Sequence, residues 1–474
     1  MISYFWLTTS IFILIFATSA IALTLLISKH STFNVYPFPI QEAKAVKSKT
    51  PSSPLHQTLS SNDGNTIIRT SSSSQSSTGS LGCINYNPST RTITVSCSSP
   101  ARLTDIDNKL KDTTVLAKQS PDGIWYLRAN IVIAKGATFS IDSTDTRWLK
   151  ISSEQGIAST NSHTSALPYN IDVHGSLKIN SVKITSWDPT TNNYAITNGS
   201  REAVPTGTKG ATTNGYIIHF GAPRPFFKVE HDATGATDIA NSEIAYLGYE
   251  SGSTSAVGSG GLNYYGADRS VIRGNNIHDL YFGFYSSGVS GFIIENNQIY
   301  HNANYGVDPH TGTHDMIIRQ NMVHDNGAQG IICSLNCYNI LIEDNQLYRN
   351  GKAAIMFSRN MSNSIARNNI ISNEVDGILV SQSDNNKLYN NTISNSQYGI
   401  NVIVGSSGNT FYSNVIKNCL HGIYSQATSN NSNNTFYNNQ LINSPSASGV
   451  QTNQPSFDIA KSQGVKGHSR PSHH

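Results

Sequence analysis

A phrase of the form apolar-x-x-Asn-x-apolar returns along the second half of this chain. Its asparagines are Asn275, Asn297, Asn321, Asn345, Asn368, Asn391, Asn414 and Asn439, spaced by 22, 24, 24, 23, 23, 23 and 25 residues. A nearly fixed period of this length means a solenoid, in which each unit is stable only against its neighbours. The apolar runs are too short for helices and lack a 3.6-residue period, which argues against leucine-rich repeats. A parallel β-helix fits instead: three short strands per coil, aliphatic side chains stacked inside, and glycines at tight corners. An asparagine at one repeated turn can stack as a ladder, each amide bonding its neighbour and the turn backbone. The expected inward column is Phe284, Val307, Ile331, Ile355, Ile378, Ile400 and Ile423, each preceded by glycine or, once, by Ala354. Upstream, Ser242-Glu243-Ile244 fits the same phrase, with Glu250–Gly266 read as an insertion before the next coil. The alternating segments Ile124–Ile133 and Asn170–Ile184 read as opening strands.

Composition enters where it decides the setting. Charged residues are 13% of the 474, and the net charge of +3 is too small and dispersed to argue for nucleic acid. It is compatible with an anionic polysaccharide. Tyr4–Ser28 is uncharged and long enough to cross a bilayer as a helix, with nothing basic before it and Lys29 after it. Residues 1–29 therefore read as a signal anchor or a cleaved signal peptide, and either way the bulk is exported. Residues 30–80 read as a Ser/Thr-rich disordered stalk, 81–165 as an N-terminal β cap with opening strands, 166–445 as the β-helix, and 446–474 as a disordered tail. A monomer is expected. Cys83 and Cys97 flank two strand-like runs and fit a hairpin disulfide; Cys333 and Cys337 could pair across a turn; Cys419 is left over and expected buried. Neither pair has the further ligands a zinc site needs, so no metal site is expected.

Registering the coils on their glycines makes one coil stand out. With Val307 inward, Asp308 and His310 point outward and Pro309 inward. Tyr285 and Ile332 flank Asp308, while Ser287 and Ser334 flank His310. Ser358 continues the His310 row, Arg359 follows at the corner, Thr311 follows His310, and Tyr305 precedes the glycine. The strip holds an acid, an imidazole, a phenol, hydroxyls and a guanidinium.

Tyr305-Gly306-Val307-Asp308-Pro309-His310 resembles the Tyr-Gly-x-Asp-Pro-His signature of mannuronan C-5 epimerases, and the surroundings are similar to the single-domain periplasmic type. Tyr281–Tyr285 resembles that family's preceding coil and Arg359-Asn360 its later corner. Gly123–Arg128, Gly136–Thr138, Arg224–Phe226, Ile239–Ser242 and Leu247–Tyr249 continue the likeness from about Gly123 to Asn443. The resemblance implies a right-handed parallel β-helix with an N-terminal cap, acting on a polyuronate such as mannuronan or alginate. Two departures stand out. The family has an acidic residue where this chain has Thr311, and an arginine in the corner that here reads Gly330-Ile331-Ile332-Cys333-Ser334-Leu335-Asn336.

Inverting C-5 of a uronate means removing a weakly acidic proton beside a carboxylate whose charge must first be neutralised. His310 is the expected base, as the resemblance also implies, because an imidazole titrates near neutral pH. Asp308 either holds that imidazole or contacts the sugar. Tyr305, or a water molecule, returns the proton from the opposite face. Arg359 is the nearest carboxylate neutraliser and Arg319 a weaker one. Tyr285, Ser287, Thr311, Ser334 and Ser358 are expected to bind substrate. No cofactor is required; calcium is compatible with such a polymer, but nothing in the sequence points to it. The alternatives are a polysaccharide lyase, which shares the carbanion but expels the 4-oxygen, and a non-catalytic glycan-binding surface β-helix.

Overall fold

The computed structural model describes residues 81–154, 168–196, 201–203, 216–218, 223–250, 259–426 and 433–446. The chain divides into two units, Met1–Gln75 and Ser76–His474. The first unit lies outside the described residues, as do the uncharged run Tyr4–Ser28, the Ser/Thr-rich stretch and the tail from 447.

The described part of the second unit is a right-handed parallel β-helix. Two sheets of thirteen strands and one of eleven run along it, and nearly every pairing joins one coil to the next in parallel register. The coil that starts at Val307 shows the plan. Val307–His310 lies in the first sheet, Ile317–Arg319 in the second and Met322–His324 in the third. Strands this short can stay in register only because one side chain of each is held inside the stack. The expected inward column Phe284, Val307, Ile331, Ile355, Ile378, Ile400 and Ile423 is fully buried. Ile318 and Val323 face the same core from the other two sheets.

The asparagine ladder lies at the turn between the second and third sheets. Asn297 Nδ2 donates to Ile272 O and to Asn321 Oδ1, both at 2.9 Å, and the same oxygen accepts the Asn297 backbone N–H at 3.0 Å. Each rung thus satisfies buried backbone groups in two coils, the condition for a polar side chain to sit in this core. Ser242 takes the first rung, receiving the Val182 N–H and donating its own backbone N–H to Asn275 Oδ1. One rung differs from the sequence reading: the ladder residue is Asn369, whereas Asn368 sits one place earlier at an exposed corner with φ 56°. Adjacent asparagines make the pattern ambiguous in sequence, and the backbone decides it. A second ladder, Asn302–Asn326–Asn350, lines the turn back to the first sheet and ends on the carboxylate of Glu374.

Three readings need correction. The stretch Glu250–Gly266 is not purely an insertion, because Gly261–Tyr264 is the first-sheet strand of a coil of its own. Cys333 and Cys337 are free thiols, both buried: Cys333 lies in a second inward row beside Phe357, and the Cys337 thiol donates to Ser334 O at 3.1 Å. Finally, a short helix, Leu103–Leu110, went unforeseen. It buries Leu103 and Ile106 in the core, while the Asp105 carboxylate accepts the Arg102 N–H at its start. The antiparallel hairpin Ile84–Asn87 and Thr92–Val95 carries the Cys83–Cys97 disulfide, and Cys419 is free and buried.

Candidate functional site

The first sheet presents its outer face as rows, one residue per coil. Tyr285 pairs with Asp308 and Ser287 with His310. Val307 pairs with Ile331 and His310 with Ser334, which sets Ile332 beside Asp308, and Ser334 pairs in turn with Ser358. The strip expected from the sequence is therefore assembled. At Gly306 a Cβ would come within 2.5 Å of Gly330 O and 2.8 Å of the Val323 side chain. No other residue fits there, so the signature glycine is set by the close approach of successive coils.

His310 holds both ring nitrogens in contacts. Nδ1 lies 2.6 Å from Thr311 Oγ1, and Nε2 lies 3.2 Å from Arg359 Nη2. Burial first, and the Arg359 charge second, push the imidazole down to about 4, so it is neutral at neutral pH. Asp308 is only 2% exposed, and burial holds its carboxyl well above the usual carboxylate range against the opposing pull of Arg359. Its Oδ1 has no hydrogen-bond partner among the described residues. Because Thr311 and Arg359 take the two imidazole nitrogens, Asp308 does not hold the ring.

The corner at Cys333–Asn336 holds no arginine, and the guanidinium that reaches His310 is that of Arg359. It sits at the left-handed corner after the strand Ala353–Ser358, with φ 53°, and reaches back one coil. There its Nε and Nη2 donate to Ser334 Oγ at 2.9 and 2.6 Å, which aims the guanidinium at His310. Arg319 is not part of the site. It belongs to the second sheet and pairs with Glu295 at 2.6–2.8 Å.

The phenols divide. The Tyr285 ring lies 5.7 Å from the His310 ring; burial raises its hydroxyl, which hydrogen-bonds Ser287. Tyr305 instead stacks on Phe282, with centroids 5.4 Å apart and planes at 9°. Phe282 in turn packs near Tyr281 and Tyr285. With Tyr265 beside Tyr285, the strip has an aromatic approach on its N-terminal side. Phe282 and Tyr265 were missed in the sequence, where only the coil resemblance around Phe282 hinted at them. Ser358 is buried in the row beyond Ser334.

Residues 230–360 match the family described as right handed beta helix region, and residues 311–468 the family described as periplasmic copper-binding protein (NosD). The described residues do not fit copper: no three His, Cys, Asp or Glu side chains among them converge to hold a metal ion. Mannuronan C5-epimerases of Pseudomonas fluorescens and Pseudomonas syringae pv. tomato are 25% and 26% identical over 211 residues, 42% of this chain. The match spans 32% of each relative's own length. The crystal structure of the periplasmic alginate epimerase AlgG superposes with a TM-score of 0.58 at 24% identity, covering 74% of this chain and 78% of AlgG. A point mutant of AlgG gives 0.57 over the same shares, and at these identities the likeness carries the fold. Sequence and fold converge on one kinship: the chain is similar to the mannuronan C5-epimerases and shares the right-handed parallel β-helix of AlgG.

Proposed function

We propose that this protein is a polyuronate C-5 epimerase of the mannuronan type, with His310 as the base. The observation that carries this reading is a neutral imidazole on the outer face of the first sheet with a guanidinium 3.2 Å away. Abstraction of H-5 needs both: a base that is unprotonated at neutral pH, and a cation where carboxylate charge grows as the C–H bond breaks. The proton passes to His310 Nε2 and the electron pair delocalises from C-5 into the carboxylate, which Arg359 stabilises. Burial pushes the Asp308 carboxyl well above the usual carboxylate range, which favours its acid form as a hydrogen-bond donor to the same carboxylate. Return of a proton to the opposite face of C-5 completes the inversion, from Tyr305, from Tyr285 or from water. Ser287, Ser334 and Ser358 line the strip with hydroxyls, and Phe282, Tyr285 and Tyr305 give the pyranose rings an apolar platform. No resident cofactor is needed, since Arg359 supplies the positive charge.

The same reading places the protein outside the cytoplasm. The Cys83–Cys97 disulfide suits an oxidising compartment. Among the described residues no helix is long and apolar enough to cross a membrane. Attachment through Tyr4–Ser28, and a monomeric state, are part of the proposal. The test is incubation with poly-mannuronate in heavy water, followed by proton NMR. Inversion with deuterium at C-5 is the expected result. Unsaturated uronate ends with no inversion would make the protein a lyase, and no change on any polyuronate would leave a glycan-binding module.

A further inference from the structure

The contacts of His310 fix more than its position. A guanidinium carries five N–H donors and no acceptor, so the nitrogen facing Arg359 Nη2 at 3.2 Å must be the acceptor. The imidazole proton therefore sits on Nδ1, and Thr311 Oγ1, 2.6 Å away, accepts it. Thr311 is also backbone-strained. Its φ of 40° lies in the left-handed region, which a β-branched side chain adopts at a cost. The Thr311 hydroxyl gives the ring an acceptor and adds no charge. On the other side of the ring, Arg359 covers the lone pair that would take H-5. The guanidinium is held there by Ser334 Oγ, with no carboxylate bonded to it among the described residues.

We propose that Arg359 fixes His310 in the Nδ1–H tautomer and caps Nε2 until a substrate carboxylate draws the guanidinium away, and that Thr311, which accepts the Nδ1 proton, is a positioning residue that keeps the ring in that tautomer once the cap has left. This rests on the epimerase reading and adds a substrate rule: only an ionised uronate uncovers the base. Chemistry alone would favour the opposite preference. The α-hydrogen of an ester is more acidic than that of a carboxylate, so an uncapped base would exchange an esterified polymer more readily.

Two experiments test the proposal, and the first includes a readout that needs no turnover. In 15N NMR of the full chain, with His310 assigned by its loss in His310→Gln, Nε2 should show the acceptor shift and Nδ1 the protonated one at neutral pH. Thr311→Val, which keeps the β-branch, should lower kcat by ~10-fold or more with KM within about twofold, while Thr311→Ser restores it; the tautomers should mix only when the cap is removed as well, in Arg359→Ala/Thr311→Val, and stay Nδ1–H in Arg359→Ala alone. An Nε2–H tautomer in the parent, or a single Nδ1–H tautomer persisting in Arg359→Ala/Thr311→Val, overturns the positioning role. The second experiment measures deuterium exchange at C-5 on poly-mannuronate and on its methyl ester. The parent should exchange the acid and not the ester. Arg359→Ala should lose acid turnover yet exchange the ester at least ~10-fold faster than the parent. Ester exchange by the parent equal to that of the acid, or no gain in Arg359→Ala, overturns the capping role. An inactive parent on the acid sinks the epimerase reading instead, and leaves the tautomer result standing.

Discussion

His310 and His278 occupy equivalent outward positions on two sheets of one solenoid, and their surroundings push them in opposite directions. On the third sheet, His278 Nδ1 lies 2.7 Å from Asp279 and Nε2 3.5 Å from Glu243. Burial lowers it, but those two carboxylates outweigh the burial and raise the imidazole to about 8, and Glu243 falls to about 2. His278 also stacks on Tyr300, at 4.9 Å, in a run that continues through His324 to Tyr348. His310 meets a hydroxyl and a cation instead, and drops to about 4. A histidine on a β-helix face is thus held charged or neutral at neutral pH according to two neighbours. A polar strip by itself says nothing of which it is.

The largest difference should appear in turnover. Replacing His310 with Gln should cut the inversion rate by about 10²–10⁴, the usual contribution of a positioned base. His278→Gln, on the other sheet, should leave inversion within about twofold. Deuterium incorporation at C-5 measures both, with thermal melting to confirm that each variant is folded. Equal losses in the two variants would dissolve the distinction.

The same contrast shows what could be read in advance. The ladder and the inward column were legible because a period near 23 residues imposes the same environment coil after coil, and burial enforces it. Asp308, His310 and the serine row followed from strand alternation alone. What escaped was set by corners. Arg359 already ranked above Arg319 in the sequence, but its reach to the imidazole through Ser334, one coil back, is a property of the corner. Thr311 looked like a defect in the signature, and it holds the ring. The assignment of Asn368 failed for a related reason: next to Asn369, only the left-handed turn says which asparagine points inward. The hydroxyl and thiol at Ser334 and Cys337 likewise gave no sequence sign that one would aim a guanidinium and the other bond a backbone oxygen.

The phenols give a smaller test. Tyr285 packs against His310, whereas Tyr305 stacks on Phe282 one step away. If the proton returns from a phenol, Tyr285→Phe and Tyr305→Phe should separate, with the donor's loss costing about tenfold and the other variant changing KM more than kcat. If water returns it, both lose less than about threefold in kcat. Release of unsaturated ends should be followed in the same samples, because a misplaced donor turns inversion into elimination.

The smallest expected effect is on stability, and it separates the two histidines by sign. His278 is raised in the folded protein to about 8 from an ordinary value of 6.5. Its contribution is complete below about pH 6.5 and disappears as pH rises through 8, because the folded state then gives up a proton the unfolded state has already lost. His310 is lowered to about 4. Between pH 6.5 and 4 the unfolded chain binds a proton that the folded site refuses, so stability falls as pH falls through that window. Both side chains are partly open to solvent, and each limb should amount to on the order of 1 kcal/mol after screening. Melting curves from pH 4 to 9 on the parent and the two Gln variants test this by difference, which cancels the other titrating groups. His278→Gln should flatten the alkaline limb and, because Glu243 loses the imidazole that depresses it, alter the acid end only below about pH 4.5. His310→Gln should flatten the acid limb only, at the same pH where a base of this kind loses activity. If instead His310→Gln alters the alkaline limb, the imidazole is charged in the folded protein. Arg359 could not then donate to Nε2, and the site would have to be read as a cation pair.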